Sequence, residues 1–369
     1  MRGFELCQAP LTRAFADDFR RGFHAHIKIL GRTLSMNVPR TIVVSVTYAG
    51  RHISCIRSLR LALLAGSESV VLVCNGVTEE AAQALRTEAE MRGDSLTLVW
   101  LDRNVGTEKA FALGVKHALQ LEPDFVWMLD DDNLPHPDCL EIALSLQIGQ
   151  RTVEDPVGPV VSCLRNSDEQ HVAIADGASP HSVFLQGGEF FGFDILSRIA
   201  GARSIKSLTT NEAAELPQAP YGGLLLPVQI AREVEVRGDD LILYFDDVSM
   251  TRALRARGVR IVLSVRSIID DANTKWVESS NNRYLEGMIR SRNVIRAYYS
   301  FRNCFVIDLA HAKKTKRRLR FVLNFAIYSS WVVVASFKMK QPGFLRVYGA
   351  ACRDAVFGRM GERVRLDGV

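Results

Sequence analysis

No two cysteines in these 369 residues form a CxxC pair, and their number is odd: Cys7, Cys55, Cys74, Cys139, Cys163, Cys304 and Cys352. That scatter argues against a disulfide framework or a thiolate zinc site and fits a reducing cytoplasm. No apolar run near the N-terminus has the form of a signal peptide, so the expected location is cytoplasmic. A net excess of positive charge is lacking outside one cluster. Lys313, Lys314, Lys316, Arg317, Arg318 and Arg320 supply six charges within eight residues, and without them the formal +5 becomes −1. A basic footprint over the whole chain is therefore missing, which excludes nucleic acid as the expected partner and leaves a local anionic partner to be explained. Apolar residues are not scarce. At 47% they suffice for a substantial core in one large α/β domain with an appendage, or in two domains.

The most informative stretch is Phe125-Val126-Trp127-Met128-Leu129-Asp130-Asp131-Asp132, an apolar strand pattern ending in three carboxylates. Adjacent anions repel unless a cation or hydrogen-bond donors offset them. Mg²⁺ and Mn²⁺ take oxygen ligands and share them with substrate phosphates. Ligands of open α/β sheets also sit beyond the carboxyl ends of the strands. The run therefore points to a metal–diphosphate site, with an acidic turn after a strand as the plainer reading.

Around this run the chain alternates strand and helix patterns. Strands are expected at 41–47, 69–74, 95–101 and 125–129, and helices at 53–65, 78–92 (with Thr78 as N-cap) and 108–120. Such alternation implies a mostly parallel sheet flanked by helices. Asn75-Gly76 reads as a turn. Further on, a helix is expected at 137–148, strands at 156–163, 183–192 and 224–227, a helix at 249–257 and a strand at 260–265. The polar 194–216 stretch reads as a loop near the active face. Residues 1–38 show only a short amphipathic pattern at 11–23. Met36, just before the first strand, leaves open an overlong start assignment.

A second acidic cluster closes the apolar segment Leu241-Ile242-Leu243-Tyr244-Phe245-Asp246-Asp247. A crowded, partly buried carboxylate has a raised pKa and suits general-base work, while helix N-capping is the bland alternative. The motifs in order resemble the family 2 inverting glycosyltransferases, whose fold is GT-A. The matching residues are Val44 to Tyr48, Asn75-Gly76, Asn104-Val105-Gly106, Asp130 to Asp132, Gly222-Gly223, Asp246-Asp247, Leu254-Arg255-Ala256-Arg257-Gly258 and Arg292-Asn293. The ending Gly349, Arg353-Asp354-Ala355, Gly358-Arg359, Gly361 is similar to the tail of bacterial rhamnosyl- and galactofuranosyltransferases that build cell-surface polysaccharides.

The resemblance, over roughly 41–361, implies an α/β GT-A catalytic domain at 39–278, after an accessory segment at 1–38 and before a helical region at 279–369. It implies that Asp130 and Asp132 hold Mg²⁺ or Mn²⁺ and, with Asp131, the donor ribose–diphosphate. Asp247 would be the general base with Asp246 beside it. Thr47, Tyr48, Arg51 and Asn75 would border the nucleotide, and Asn104 with Gly106 would close over it. Two departures stand out. Cys74 occupies the place of an Asp that reads the nucleotide base, which leaves UDP and dTDP donors open. Asp271 stands 24 residues after Asp247, where the family tends to carry a metal-ligating His; it is either a ligand or a loop acid. His52 and His136 lie nearest the expected donor site but at no family ligand position, and Trp276 and Tyr298-Tyr299 are expected in the core.

The uncharged run Phe321 to Phe337 is 17 residues long, follows the basic cluster, and is followed by Lys338 and Lys340. That length is at the lower limit for spanning a bilayer. Charge on both sides fits a segment lying on an anionic membrane surface, as a polyprenyl-linked or glycan acceptor would require, and a buried core helix is the alternative. Rival chemistries fit poorly. A haloacid dehalogenase-type phosphatase needs Thr or Val where Leu134 stands, and Tyr48-Ala49-Gly50-Arg51 is too short for a nucleotidyltransferase loop. A non-catalytic nucleotide-sugar-binding or scaffold protein remains the alternative if the acidic sites are degenerate.

Overall fold

The computed structural model describes residues 38–184, 187–199, 212–234, 241–272 and 283–364. The amphipathic pattern at 11–23, Trp276 and part of the 194–216 stretch lie outside them.

A mixed sheet forms the centre. Its strands are β1 (Thr41–Ala49), β2 (Ser69–Val77), β3 (Leu96–Leu101), β4 (Phe125–Asp130), β5 (Asn133–Pro135), β6 (Val160–Arg165), β7 (Ala213–Glu215), β8 (Leu224–Pro227) and β9 (Ile261–Asp271). The order is β3-β2-β1-β4-β8-β6-β9-β5, with β7 also paired to β9. Strands β1 to β4 run parallel, as does the β6–β9 pair; β8, β5 and β7 are antiparallel to their neighbours. Strands β1 and β4 are buried at nearly every position and built mostly of apolar or small residues because both faces are covered. Alternate residues of β1 serve opposite layers. Val43 packs with helices α1 (His52–Leu64), α2 (Glu79–Arg92) and α4 (Cys139–Gly149), and Val44 with α3 (Thr107–Leu119). Each fully buried Leu or Phe in these layers contributes about 1.5–3 kcal/mol. Gly114 lets α3 approach closely, since a Cβ there would lie 2.5 Å from Val44 Cγ1.

Thr78 caps α2 as expected, its hydroxyl accepting from Ala81 N at 3.3 Å. Other expectations need correcting. Asn75-Gly76 does not end the second strand; it sits inside β2, where Gly76 at φ 70° packs against the backbone of Arg103 and Asn104. After helix α5 (Glu169–Ala175), no strand forms over 183–192 among the described residues. Pro180–Val183 is a helical turn, and Phe190 and Phe193 pair across a turn at Phe191-Gly192. That run is apolar because Phe184 packs into the sheet core and Phe190 and Phe191 into a helical core.

That core belongs to α7 (Arg283–Ser291), α8 (Val294–Lys314), α9 (Arg318–Lys338) and α10 (Phe344–Val356). Phe190 meets Phe305, Phe321, Phe325 and Tyr328 edge-on with centroids 5.0–5.9 Å apart. Such pairs are worth about 0.5–1.5 kcal/mol each beyond area burial. Asn324, fully buried on α9, donates to Gly188 O (2.7 Å) and Asp194 Oδ1 (2.8 Å) and accepts from Ile195 N (3.0 Å). It fastens the 187–195 segment to the helices. Tyr298 and Tyr299 are core residues, and their hydroxyls bond Asp354 and the Val364 carbonyl.

Candidate active site

The parallel strands end together on one edge and deliver Thr47 and Tyr48 (β1), Asn75 (β2), Asp130 (β4), Arg165 (β6) and Asp270-Asp271 (β9). The chain order reverses between β1 and β4, which opens a crevice at that edge.

The three consecutive aspartates are not equivalent. Asp131 turns inward and is buried, accepting from Thr47 Oγ1 (2.8 Å), Arg51 Nε (2.8 Å) and Arg51 Nη2 (2.7 Å). Arg51 also reaches Asp132 Oδ2 at 3.0 Å and lies over the Tyr48 ring at 5.2 Å. The Tyr48 hydroxyl accepts from Arg296 Nη2 at 3.0 Å. Asp130 and Asp132 are only half-buried. Asn133 holds their loop: its Oδ1 accepts from Asp130 N (2.9 Å), its Nδ2 donates to Asp271 Oδ1 (2.8 Å), and Ala272 N donates to Asp132 O (2.7 Å).

Arg165, which sequence reasoning passed over, ties the site together. Its guanidinium bonds Asp130 Oδ2 (3.2 Å) and both oxygens of Asp271 (3.0 and 2.9 Å). Asp271 also accepts from Ser167 Oγ, so its lone pairs are engaged by protein donors. Strand β6 (VVSCLR) carries the signal that was available: an apolar strand ending in a charge, as in β4. His136 bonds Asp270 at 2.9 Å, away from Asp130.

Among the described residues, no three His, Cys, Asp or Glu side chains converge closely enough to hold a metal ion by themselves. The charge balance nevertheless suits a divalent cation. Four carboxylates (Asp130, Asp131, Asp132 and Asp271) face two guanidinium groups, leaving two negative charges. Burial, with Asp132, Asp131 and Asp271 close by, pushes the Asp130 carboxyl up to about 7 despite Arg165. One or two carboxylates plus substrate phosphate oxygens are an ordinary set for Mg²⁺ or Mn²⁺. Gly222 closes the floor, since a Cβ there would lie 2.5 Å from both Asp130 Oδ2 and Asn133 Oδ1.

The neighbouring asparagines bond each other. Asn75 Nδ2 donates to Asn104 Oδ1 (3.0 Å), Asn75 Oδ1 accepts from Val105 N (2.8 Å), and Asn104 Oδ1 accepts from Gly106 N (3.0 Å). They shape the loop that carries Gly106, at φ 92°, against the Ile242 carbonyl. Cys74 is fully buried in the sheet core.

Asp246 and Asp247 begin helix α6 (Asp246–Ala256), directly after Tyr244 and Phe245, both at positive φ (65° and 66°). Left-handed backbone in non-glycine residues costs about 1–3 kcal/mol each, and such strain clusters at functional sites. Asp247 Oδ1 accepts from Val248 N at 2.7 Å. Burial pushes the Asp247 carboxyl up to about 6, against the Val248 amide and the charge of Arg165. Asp246 is buried and raised further by burial and by its neighbour. Arg165 thus acts on Asp130, Asp271 and Asp247. Buried Tyr221, held protonated by burial, also feels Asp246, Asp247 and Asp130. The two acidic clusters, more than a hundred residues apart in sequence, share one electrostatic environment.

Beyond α6 a cavity of about 1230 Å³ separates the sheet domain from the helical layer, lined in part by Phe191, Phe245, Ser249, Arg252, Tyr328 and Trp331.

The protein-family model described as "Glycosyltransferase like family 2" matches residues 39–294. No curated protein matches the sequence. Among solved structures, a mannosyltransferase of Pyrobaculum calidifontis, in complex with GDP-Man and Mn²⁺, is similar at 15% identity and a TM-score of 0.47, covering 88% of this chain and 89% of that one. GalNAc-T7 with UDP, GalNAc and Mn²⁺ is similar at 12% identity and a TM-score of 0.46, covering 76% of this chain and 54% of that one.

Proposed function

Because this chain belongs to the glycosyltransferase like family 2, and so is a glycosyltransferase with a GT-A fold, we propose that it inverts the anomeric centre as it transfers a sugar from a nucleoside diphosphate. The observation that carries this reading is the meeting of the two acidic clusters around Arg165 at the carboxyl edge of the sheet. Asp130 and Asp132 would hold Mg²⁺ or Mn²⁺, which when bound would supply positive charge to offset that of the diphosphate leaving group. Asp271 anchors Arg165 and joins the ligand set only by giving up those bonds. Thr47, through Asp131, fixes Arg51 over Tyr48 beside the nucleotide, and Asn75, Asn104 and Gly106 shape the loop that closes the donor site.

Asp247, ionised above about pH 6, takes the proton of an acceptor hydroxyl. The acceptor oxygen forms the new bond to the anomeric carbon as the bond to the diphosphate oxygen breaks, and the electron pair leaves with the diphosphate. No enzyme nucleophile takes part, so one displacement inverts the centre. Asp246, whose carboxyl burial and the Asp247 charge push up, sets the helix start. With Cys74 in place of the family's Asp, and buried inside β2, that position supplies no carboxylate to read the base, and UDP and dTDP both remain as donors. The sugar is of the rhamnose or galactofuranose type and the acceptor a growing glycan or a polyprenyl-linked one.

The helical layer supports attachment at an anionic membrane surface. By length and composition α9 passes as a membrane span, but one of its faces is buried against the domain. The other exposes Leu319, Val322, Leu323, Val333, Val334 and Phe337, flanked by lysines and arginines. An exposed apolar stripe with basic ends suits a helix lying in the headgroup region.

Thermal protection by UDP-, dTDP- and GDP-sugars with Mn²⁺, followed by NMR of the product's anomeric proton, tests the transfer. A stabilising donor and a product of inverted configuration are expected. A retained configuration would refute the displacement, and protection by none of the donors would refute the assigned site.

A further inference from the structure

Asn303 lies in the middle of α8, fully buried, far from the strand edge in sequence and close to the Asp247 loop in space. Both of its amide hydrogens are committed to that loop: Nδ2 donates to Leu243 O at 2.7 Å and to Tyr244 O at 3.0 Å. Its Oδ1 accepts from Arg302 Nε at 2.9 Å. A guanidinium has no acceptor, so the amide cannot be turned around without setting NH₂ against N–H and oxygen against two carbonyls. Arg302 is equally buried, lies over the Tyr299 ring at 4.8 Å, and donates through Nη1 to Gly361 O at 2.6 Å. Tyr299 in turn accepts from the Arg363 and Val364 amides and donates to the Val364 carbonyl. A continuous line of polar contacts therefore runs from the C-terminal segment at 361–364 to the carbonyls of Leu243 and Tyr244, at the entry to the left-handed pair Tyr244-Phe245 and just ahead of Asp246-Asp247. The loop is also tied on its other side, where Thr107 N donates to Ile242 O at 3.1 Å.

We propose that Asn303, oriented by Arg302, is a positioning residue for Asp247: it holds the 241–245 loop in its left-handed turn so that the carboxylate starting α6 faces the acceptor. The helical region and its last described residues then form part of the catalytic unit. This rests on Asp247 being the base, as proposed above. It follows from the geometry because two adjacent left-handed non-glycine residues persist only where surrounding contacts over-determine them, and Asn303 supplies two such contacts.

Two measurements on the full chain test it. Hydrogen exchange reads the clamp without reference to activity. In Asn303→Ala the amides of Val248 and Ser249, bonded to Asp247 Oδ1 and Phe245 O, should exchange at least tenfold faster, while those of β1 and β4 stay unchanged. Steady-state kinetics read its consequence. The kcat for transfer should fall at least tenfold with the donor KM within twofold, a split that a general loss of folding would not give. Arg302→Lys keeps the charge but loses the fork joining Asn303 to Gly361 and should show the same pattern more weakly. It also serves as the readable variant if Asn303→Ala does not fold. Unchanged exchange at Val248 and Ser249 would overturn the clamp. Faster exchange with undiminished kcat, or a loss confined to donor KM, would overturn the positioning role. Absence of turnover in the unsubstituted protein would sink the transferase reading instead and leave exchange alone to decide the clamp.

Discussion

At the scale of single residues, the acids of the candidate site divide into those buried among protein donors and those left half-buried at its edge. Asp131 is the middle of three identical residues, yet its oxygens are taken up by Thr47 and Arg51, and only Asp130 and Asp132 remain half-buried. The sequence made the run visible but not this division, which depends on which way each residue of a strand end points. Asp247 was legible as a crowded acid at a helix start, and its carboxyl at about 6 yields two predictions. The kcat should rise with pH through an acid limb near 6 and level off above it, as a pH–rate profile would show. A pH-independent kcat between 5 and 7 would exclude Asp247 as the base. The same shift acts on stability. The folded carboxyl binds its proton more tightly than an unfolded one near 3.8, so its contribution is full below about pH 4 and is lost as pH rises through 6. At pH 7.5, Asp247→Asn should therefore raise the melting temperature by relieving about 1–3 kcal/mol while losing transfer. A lowered melting temperature would contradict the buried-charge account.

At the scale of elements, strongly periodic segments were readable and short edge pieces were not. β5 and β7, three residues each, pair at the margin of the sheet through β9, where neither hydrophobic alternation nor length gives a signal. The 183–192 stretch misled for the opposite reason: Phe190 and Phe191 fill the helical core, and Val183 and Phe184 pack against the sheet, without forming a strand. Arg165 was overlooked because an arginine at a strand end is common, and its importance comes from the neighbours that folding brings to it. Gly222 offers the test at this scale. A Cβ there would lie 2.5 Å from Asp130 Oδ2 and Asn133 Oδ1, so Gly222→Ala must push the first acid of the run out of place. Mn²⁺-dependent binding of nucleoside diphosphate should weaken at least tenfold by calorimetry, with binding in the absence of metal little changed. Equal metal-dependent affinity in the variant would show that Asp130 has no part in the cation site.

At the scale of the whole molecule, the sheet carries the candidate site and a helical layer is bound to it through the 187–195 segment and through Asn303. The tail's ambiguity between span, surface helix and core helix arose because one helix face is core and the other is apolar and exposed, a difference that composition averages away. Asn324, a polar residue inside this apolar run, is a buried staple to Gly188 and Asp194. If the exposed stripe meets lipid, Val322→Glu with Val334→Glu should abolish co-sedimentation with anionic vesicles and leave the melting temperature within about 2 °C. Undiminished sedimentation would remove the stripe from the proposed interface.

The central claim is that one cation-bound sugar nucleotide sits between Asp132 and Asp247. Nucleoside diphosphate release, measured with the stabilising donor and Mn²⁺, tests it most directly when the full chain is compared with Asp132→Ala and Asp247→Asn. Asp132→Ala should require a much higher Mn²⁺ concentration for any turnover. Asp247→Asn should bind donor normally and turn over about 10²–10⁴-fold more slowly, the range expected for loss of a general base. Wild-type release rates in either variant would contradict the account.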